Sequence, residues 1–399
     1  MRDQAWDIRG EPSCPHGVAQ LRHRVGAFVH EHVVPCEPVL DGGGRAAADE
    51  LRRLQGEAKA AGLWALPLPV EFGGQGLSLT SYAHVAEAEG ASDHGPAALG
   101  SAPLLDVLML GRHASRYARD RYTARLTAGE LRACYAMTEP DTPGTDPFLT
   151  ATRAERGPGG TWRVTGRKWF TSGVVDADLV TVLARTDGVD GDREGLSLFL
   201  VPTDSEGFRV VRSLPVLGAH GQGEITLDAV RVGNDHVVGE PGRALAVAGE
   251  RLQLGRTLRC LRWIGQAHRA FDLMRGRAAT RCRSRGSLGE LQLVQSHLFE
   301  SLLALRTTRP LVYEAVDLLA EGADAHVEVG LAKVAAARTL QQVADSAIQV
   351  FGAAGLGPDT PLPALFRTGR VARILDGPDE LHVTSVARRL LRPGHHLDE

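Results

Sequence analysis

The 399-residue sequence predicts a multi-domain α+β protein in which a β-rich segment lies between two helical segments. Two observations support this class: the predicted elements run in the order helices, strands, helices, and strands and helices do not alternate or repeat. The length allows two or three packed units, since domains usually contain roughly 100 to 200 residues. We expect an N-terminal helical domain over 1–128, a central β domain over 129–241 and a C-terminal helical domain over 242–399.

Each segment has its own composition. The first is rich in helix formers, as in AQLRHRVGAFVHEHV and AADELRRLQGEAKAAGLWAL, with Gly and Pro breaks between runs. From about residue 130, short β-rich runs such as TWRVTGRKWFTSG, DLVTVLART and LSLFLVPTD are separated by Gly, Asp and Pro clusters. After EPGRA the helical pattern returns and continues to about residue 392.

An arginine-rich stretch follows the β segment. Its apolar residues recur at helical spacing: Leu254, Leu258, Leu261, Ile264 and Phe271. Arg259, Arg262 and Arg269 occupy other faces of the same predicted helix, and we expect them to lie on a solvated face.

Composition excludes several classes of protein. A formal net charge of -3 with mixed signs gives no basic field for nucleic acid. The five cysteines show no metal-ligand spacing, so we expect no metal and a reducing, cytoplasmic location. No apolar run of about 18 residues predicts a membrane span, and no apolar core marks the N-terminus as a secretion signal. No strand precedes a G-x-G-x-x-G turn and helix, which excludes a Rossmann dinucleotide site.

Five motifs, in order along the chain, resemble those of the acyl-CoA dehydrogenase family. They are GLWALPLPVEFGGQGLSLTSYAHVAEAEG, YAMTEPDTPGTD, GRKWFTSG, QVFGAAG and ILDGPDELH, which begin at residues 62, 135, 166, 349 and 374. The resemblance covers nearly the whole chain. It implies an N-terminal helical domain, a central β-barrel-like domain and a C-terminal four-helix bundle, with FAD between the last two and reaching a neighbouring subunit.

The resemblance also implies a flavin site. The residues that would line the isoalloxazine ring are Tyr135, Ala136, Met137, Thr138, Trp169, Phe170 and Thr171. The Thr138 and Thr171 hydroxyls are candidate donors to the ring, where hydrogen bonds tune its acceptance of hydride. Without the flanking motifs, both would be ordinary strand threonines. Thr145, before Asp146, stands where the family usually has Ser near the thioester.

The FAD pyrophosphate and adenosine are expected at further positions that the resemblance supplies. These are Arg281, Gln349, Gly352, Ala353 and Gly355. Arginine suits a pyrophosphate because its planar fork binds phosphate oxygens bidentately. The glycine-rich segment alone would indicate only a helix C-cap and loop. Ser284 and Arg285 replace an aromatic-Gly pair, and Ala353 replaces a Gly, so FAD affinity is expected to fall unless Arg285 compensates with its charge.

Asp376 lies at the position of the family's catalytic base. The alternative is a helix cap, since Pro378, Asp379 and Glu380 resemble a helix start. Asp is one methylene shorter than the family's usual Glu, and the DGPDE motif resembles a subgroup with Asp as base, related to dehydrogenases fused to phosphotransferase-like domains. Glu380 is the fallback base.

The remaining implied substrate contacts are Thr145, Arg256 and Gly377. Arg256 lies where the family has an arginine near the base, which would set the charge of the base or pair with an acidic neighbour.

The resemblance implies α,β-dehydrogenation of an acyl-CoA, with electrons passed to a separate flavoprotein, by a homotetramer or dimer. Three alternatives stay open at this point. The acyl group could be bound to a carrier protein, the enzyme could be a flavin monooxygenase of the same fold, or the chain could be a non-catalytic flavin or acyl-CoA binding subunit.

Overall fold

The predicted order of helices, strands and helices is confirmed by a computed structural model, which describes residues 14–192 and 194–391, without the side chain of His16. The helices before the strands are α1 (His16–Phe28), α2 (Glu37–Asp41), α3 (Gly44–Ala60), α4 (Leu79–Glu89), α5 (Gly95–Ala98), α6 (Leu104–His113) and α7 (Arg116–Ala128). Those after the strands are α8 (Ala244–Thr280), α9 (Gln292–Glu321), α10 (His326–Phe351), α11 (Leu362–Ala372) and α12 (Asp379–Leu390).

The strands form one mixed sheet. They are β1 (Ala133–Ala136), β2 (Arg153–Arg156), β3 (Thr161–Ser172), β4 (Leu179–Arg185), β5 (Leu196–Pro202), β6 (Phe208–Ser213), β7 (Gln222–Gly233) and β8 (Val237–Val238). The order is β6-β7-β3-β2-β4-β5-β8, with β1 paired to β4 in parallel. Apolar side chains of these strands, including Trp162, Val182 and Phe199, pack into one core.

Two compact units divide the described residues. Unit 1 contains 14–35, 78–96 and 253–391, and unit 2 contains 36–77 and 97–252. Each unit is therefore assembled from segments that are separated in the sequence. The three domain boundaries expected from the sequence divide the chain differently and stay a prediction.

In unit 1, helix α4 carries a buried carboxylate and lies close to α8. Glu87 accepts a hydrogen bond from Arg309 Nε at 2.8 Å and one from the Tyr313 hydroxyl at 3.1 Å. A Cβ atom on Gly265 would lie 2.1 Å from the carbonyl oxygen of Glu87, so this contact requires glycine. The close approach lets α8 cover a charge that would be costly to bury without its partners.

Helix α8 differs from the sequence prediction. Every residue from 251 to 274 is buried or partly buried, so Arg259, Arg262 and Arg269 do not lie on a fully solvated face as expected, although the Arg259 side chain keeps 36% of its surface exposed. The cause is that elements of unit 1 contact several faces of this helix. Arg269, for example, donates to the carbonyl oxygen of Ala91 at 3.2 Å. Among the described residues, no helix is both long enough and apolar enough to cross a bilayer.

Candidate active site

In unit 2, the two segments predicted to line the flavin ring lie side by side. The Trp169 backbone N–H donates to the carbonyl oxygen of Thr138 at 3.0 Å. Lys168 Nζ donates to the carbonyl oxygen of Met137 at 2.9 Å. These bonds join the turn after β1 to the end of β3, so the sequence motifs TEP and KWFT meet in space.

A buried charge cluster holds this junction together. Lys168 has no exposed side-chain surface, and its Nζ lies 2.8 Å from Glu139 Oε1. Glu139 also accepts from the backbone N–H groups of Ala151 and Thr152 and from the Thr152 hydroxyl, at 2.7, 2.9 and 2.5 Å. Burial raises the pKa of Glu139, but the Lys168 charge and these hydrogen bonds outweigh it and leave the pKa below its ordinary value. Burial lowers the pKa of Lys168 to about 8, with Glu139 opposing that shift.

Two hydroxyls in this region are buried without a hydrogen-bond partner in the described part of the chain. They belong to Thr171, which is 1% exposed, and to Tyr135. Such groups are rare in folded proteins, because an unpaired buried hydroxyl costs free energy. Phe170, next to Thr171, has a φ of 47° and is 47% exposed, an unusual backbone conformation for an aromatic residue. Both features are typical of a surface that binds a ligand.

The other predicted residues of unit 2 are placed as follows. The Ala136 methyl packs in the core of the sheet, so only its backbone is available to a ligand. Thr145 is exposed and follows Gly144, where a Cβ would lie 3.0 Å from Thr138 Cγ2. The GT pair is thus adjacent to Thr138, while the expected role of Thr145 near the thioester stays a prediction.

In unit 1, Asp376 lies in a turn between α11 and α12. Its φ is 55°, and Asp is one of the few residues besides glycine that tolerates this region. Arg256 Nε donates to its carbonyl oxygen at 2.9 Å, and Lys333 Nζ donates to the carbonyl oxygen of Gly377 at 2.6 Å. Cationic side chains from α8 and α10 therefore hold two successive carbonyls of the turn. Arg256 binds the backbone of Asp376 here rather than an acidic side chain.

The Asp376 carboxylate does not cap α12. That helix begins at Asp379, and its N-terminus receives no side-chain cap hydrogen bond. Instead, Asp376 Oδ2 lies 2.6 Å from Arg259 Nε. The sequence predicted Arg259 on a solvated face of α8. The one signal for its contact with Asp376 was its position one helical turn after Arg256. Glu380, the fallback base, is exposed.

Asp379 organises the cations behind the turn. Its carboxylate lies 3.7 Å from Lys333 Nζ, 3.3 Å from Arg338 Nε and 2.9 Å from Arg373 Nε, and its side chain is buried. Burial lowers the pKa of Lys333, and the Asp379 charge opposes that shift. The carboxylate of Asp379 thus neutralises charges that would otherwise repel one another next to Asp376.

His382 also packs against this turn. Its Nε2 lies 3.2 Å from the carbonyl oxygen of Asp376, so the neutral ring protonated at Nε2 donates there. Burial, followed by the charges of Arg256 and Lys333, lowers the pKa of His382 to about 4.

We expect His382 to destabilise the protein in mild acid. Its pKa falls from 6.5 to about 4 on folding, so the unfolded chain takes up this proton first as pH drops across that window. The loss attributable to His382 between pH 7 and pH 5 is about 2 kcal/mol. Urea unfolding of wild type and His382→Gln at both pH values measures it. Equal losses in the two proteins would contradict this assignment.

The predicted nucleotide-binding residues of unit 1 follow the ends of two helices. Arg281 is exposed and follows α8, and one turn earlier the Arg277 guanidinium lies 5.2 Å from the Phe351 ring centroid. Phe351 ends α10, immediately before Gly352. The ends of α8 and α10 therefore lie together, which brings the arginine segment and the glycine-rich loop to one end of the helices.

Within the glycine-rich loop, the conformational demand falls on Gly352 and Gly355. Gly352 has a φ of 66°, and a Cβ on Gly355 would lie 2.9 Å from Ile348 Cα. Ala353 is exposed and is absent from the non-glycine residues with positive φ, so its methyl meets no backbone strain. Gln349 is exposed one turn earlier, and Ser284 and Arg285 lie in an exposed turn after Arg281.

The sequence matches family models along most of its length. The models described as acyl-CoA dehydrogenase N-terminal, middle and C-terminal domain match residues 18–130, 134–230 and 242–391. The chain belongs to the acyl-CoA dehydrogenase family. This family acts as oxidoreductases, and the fold class expected from the sequence is confirmed.

Comparison with individual acyl-CoA dehydrogenase relatives supports the same family. The chain is 35% identical over 384 residues to the probable acyl-CoA dehydrogenase FadE2 of Mycobacterium tuberculosis, covering 92% of this chain and 93% of the relative. It is 33% identical over 404 residues to acyl-CoA dehydrogenase family member 10 of mouse, covering 96% of this chain but 38% of that protein. A solved acyl-CoA dehydrogenase-type structure from Mycobacterium abscessus has a TM-score of 0.88 at 32% identity, covering 95% of this chain and 99% of that one.

Proposed function

We propose that this protein is an FAD-dependent acyl-CoA dehydrogenase that removes hydrogen from the α and β carbons of an acyl thioester, with Asp376 as the base. The observation that carries the proposal is the Asp376 turn. Its two carbonyls are held by Arg256 and Lys333 while its carboxylate does not cap the following helix. A base fixed in this way suits a reaction in which small misplacements are costly.

The chemistry requires a carboxylate because the α-hydrogen of a thioester is only weakly acidic. Asp376 would accept this proton at a carboxylate oxygen, and its backbone, fixed by Arg256, would keep that oxygen in place. When bound, oxidised FAD supplies the acceptor for the hydride that leaves the β carbon. Glu380 is exposed and is not held by such contacts, which supports Asp376 over this fallback. Asp as base also supports membership of the DGPDE subgroup.

The residues expected to contact FAD fit this cofactor. In unit 2, the buried Thr171 and Tyr135 hydroxyls have no hydrogen-bond partner among described residues, and Phe170 exposes its ring beside Thr171. In unit 1, Arg281 offers an exposed guanidinium after α8, and the turn after α10 contains the exposed Gly352 and the buried Gly355. FAD is also the ligand of the solved PigA complex, whose chain shares the fold at 23% identity.

Thr171→Val separates a structural role of this hydroxyl from a flavin contact. Because Oγ1 has no partner among described residues, we expect the apoprotein to be as stable as wild type or slightly more stable. Loss of one hydrogen bond should weaken FAD binding by up to about tenfold. FAD titration monitored by fluorescence, together with urea unfolding of the apoprotein, measures both effects.

Thr152→Val is the matched control, since the Thr152 hydroxyl donates to the buried Glu139. We expect this variant to lose about 1–3 kcal/mol of stability. If the Thr171→Val apoprotein loses as much stability as Thr152→Val, the Thr171 hydroxyl has a structural partner instead.

The experiment that tests the proposed function is an anaerobic visible spectrum of the FAD-reconstituted protein. A panel of short, medium, branched and hydroxylated acyl-CoAs is added, and bleaching of the flavin band reports reduction. Bleaching by one class, absent in Asp376→Asn, is the expected result. Bound flavin that no acyl-CoA reduces would indicate a carrier-protein substrate or a non-catalytic binding subunit, and failure to bind FAD would contradict the proposal.

Several finer expectations belong to the same proposal. We expect electrons to pass to a separate flavoprotein and the chain to form a tetramer or dimer. Turnover with added flavoprotein acceptor and sedimentation of the reconstituted protein address these points. The cytoplasmic location stays a prediction.

A further inference from the structure

We propose that Arg259 is a positioning residue for the base: it holds Asp376 Oδ2 and leaves Oδ1 as the oxygen that takes the substrate proton. This inference rests on the proposed function, because it assigns a role relative to Asp376. The contact itself is short, with 2.6 Å between Arg259 Nε and Asp376 Oδ2. Among the described residues, Oδ1 receives no hydrogen bond, whereas Oδ2 forms the ion pair with Arg259, so the two oxygens of this carboxylate differ in their surroundings.

Arg259 completes a two-point attachment that begins with Arg256. The two arginines are three residues apart on α8 and therefore lie on neighbouring positions of one helix face. Arg256 Nε binds the carbonyl oxygen of Asp376 at 2.9 Å, and Arg259 Nε binds its side chain. Backbone and side chain of the same residue are thus fixed by one turn of a helix. Asp has only two side-chain torsions, so a single contact at Oδ2 suffices to define the direction of Oδ1.

The other charged groups around the turn do not compete for this contact. Lys333 from α10 binds the carbonyl oxygen of Gly377, and His382 from α12 faces the carbonyl oxygen of Asp376. Asp379, the other carboxylate of the turn, lies against Lys333, Arg338 and Arg373. Because Asp379 already has its own cations, Arg259 is left to pair with Asp376.

The exposure of the pair argues against a mainly structural role. The Arg259 and Asp376 side chains are 36% and 22% exposed. Ion pairs with this degree of solvent contact contribute little to stability. Removing the Arg259 charge should therefore leave the fold intact and shift the thermal midpoint by less than about 4 °C.

The test compares Arg259→Gln, Arg259→Lys and the control Arg275→Gln in the FAD-reconstituted enzyme. Arg275 lies on the same helix and pairs with Asp272 at 3.5 Å on the surface. We expect Arg259→Gln to lower kcat between about tenfold and a hundredfold, because a misdirected base carboxylate slows proton abstraction. KM should change by less than about threefold, since uniform binding of substrate is unaffected. Arg259→Lys should recover part of kcat, and Arg275→Gln should match wild type.

Two isotope readouts distinguish positioning from general damage. The kinetic isotope effect with α-deuterated substrate should increase in Arg259→Gln, because proton abstraction becomes more rate-limiting. Exchange of the substrate α-hydrogens in D2O should slow by a similar factor as kcat. A structural defect would reduce the amount of active enzyme without changing the isotope effect.

Each remaining outcome has a defined meaning. A kcat of Arg259→Gln equal to or above that of wild type would overturn the inference, because the ion pair would then be a resting contact that substrate breaks. If the wild-type enzyme also turns over substrate normally, the proposed function stands even though the role of Arg259 does not. Wild type that neither reduces its flavin nor exchanges α-hydrogens would overturn Asp376 as base and the role of Arg259 with it.

Discussion

Asp376→Asn is expected to reduce flavin bleaching by an acyl-CoA by a factor of about 10² to 10⁴, the range that a positioned general base contributes. The amide is similar in size to the carboxylate but cannot accept the α-proton. Since Arg256 binds the Asp376 backbone, the turn should keep its conformation in the variant. Anaerobic stopped-flow reduction, with FAD content and thermal midpoint measured alongside, separates lost chemistry from lost folding.

Two further variants define the geometry of the base. Glu380→Gln is the control for the fallback residue, and we expect wild-type reduction rates because Glu380 is exposed. Asp376→Glu extends the side chain by one methylene. We expect it to lower the rate of flavin reduction by up to about a hundredfold, because the carboxylate is displaced by about 1 Å. If Glu380→Gln were as slow as Asp376→Asn, the assignment of the base would be wrong.

Lys168→Met is expected to destabilise unit 2 by about 3–5 kcal/mol, the range observed when one partner of a buried ion pair is removed. Glu139 would keep its hydrogen bonds to Ala151 and Thr152 but would lose the charge that offsets its burial. The bond from Lys168 to the carbonyl oxygen of Met137 would also be lost, so FAD binding should weaken. Urea unfolding at pH 7 and FAD titration measure these effects.

Arg163→Met provides the surface comparison. Arg163 pairs with Glu155 on the same sheet, but their side chains are 53% and 71% exposed. We expect this change to lower the free energy of unfolding by no more than about 1 kcal/mol. The double variant Lys168→Met/Glu139→Gln should recover part of the stability because no buried charge is left unpaired. A Lys168→Met protein as stable as Arg163→Met would contradict the role of the cluster.

Much of the fold could be predicted from local sequence. The strands between residues 133 and 238 coincide with the β-rich segment because β-branched runs and turn residues mark them directly. The motifs around Thr138 and Trp169 were expected to line one flavin ring, which stays a prediction, and the hydrogen bond between their backbones shows that they lie side by side. The composition of the two compact units could not be predicted, since it depends on packing between segments far apart in sequence.

The candidate site was predicted by position but not by contacts. Asp376 and Arg256 were singled out, yet the partner of the Asp376 carboxylate, Arg259, was assigned to solvent. Helical periodicity gives the angular position of a residue, but not how many faces of the helix are covered. Similarly, the expected loss of FAD affinity from Ala353 assumed a positive φ at this residue, but the positive φ belongs to Gly352. Backbone torsions in a short loop are fixed by its packing, which one sequence does not reveal.

The buried contact between Glu87 and Arg309 has a consequence for synthesis. The two residues are 222 positions apart, and both belong to the unit assembled from three separate segments. At about 5–20 residues per second, a ribosome needs roughly 11 to 44 seconds to add the intervening chain. During that interval Arg309 is not yet made, whereas Arg22 on α1, whose guanidinium lies 3.8 Å from Glu87 Oε1 in the finished unit, already exists. The hydrogen bond between Glu87 and Arg309 must therefore wait until translation has passed this part of α9, so α4 acquires its full set of charge partners late in synthesis.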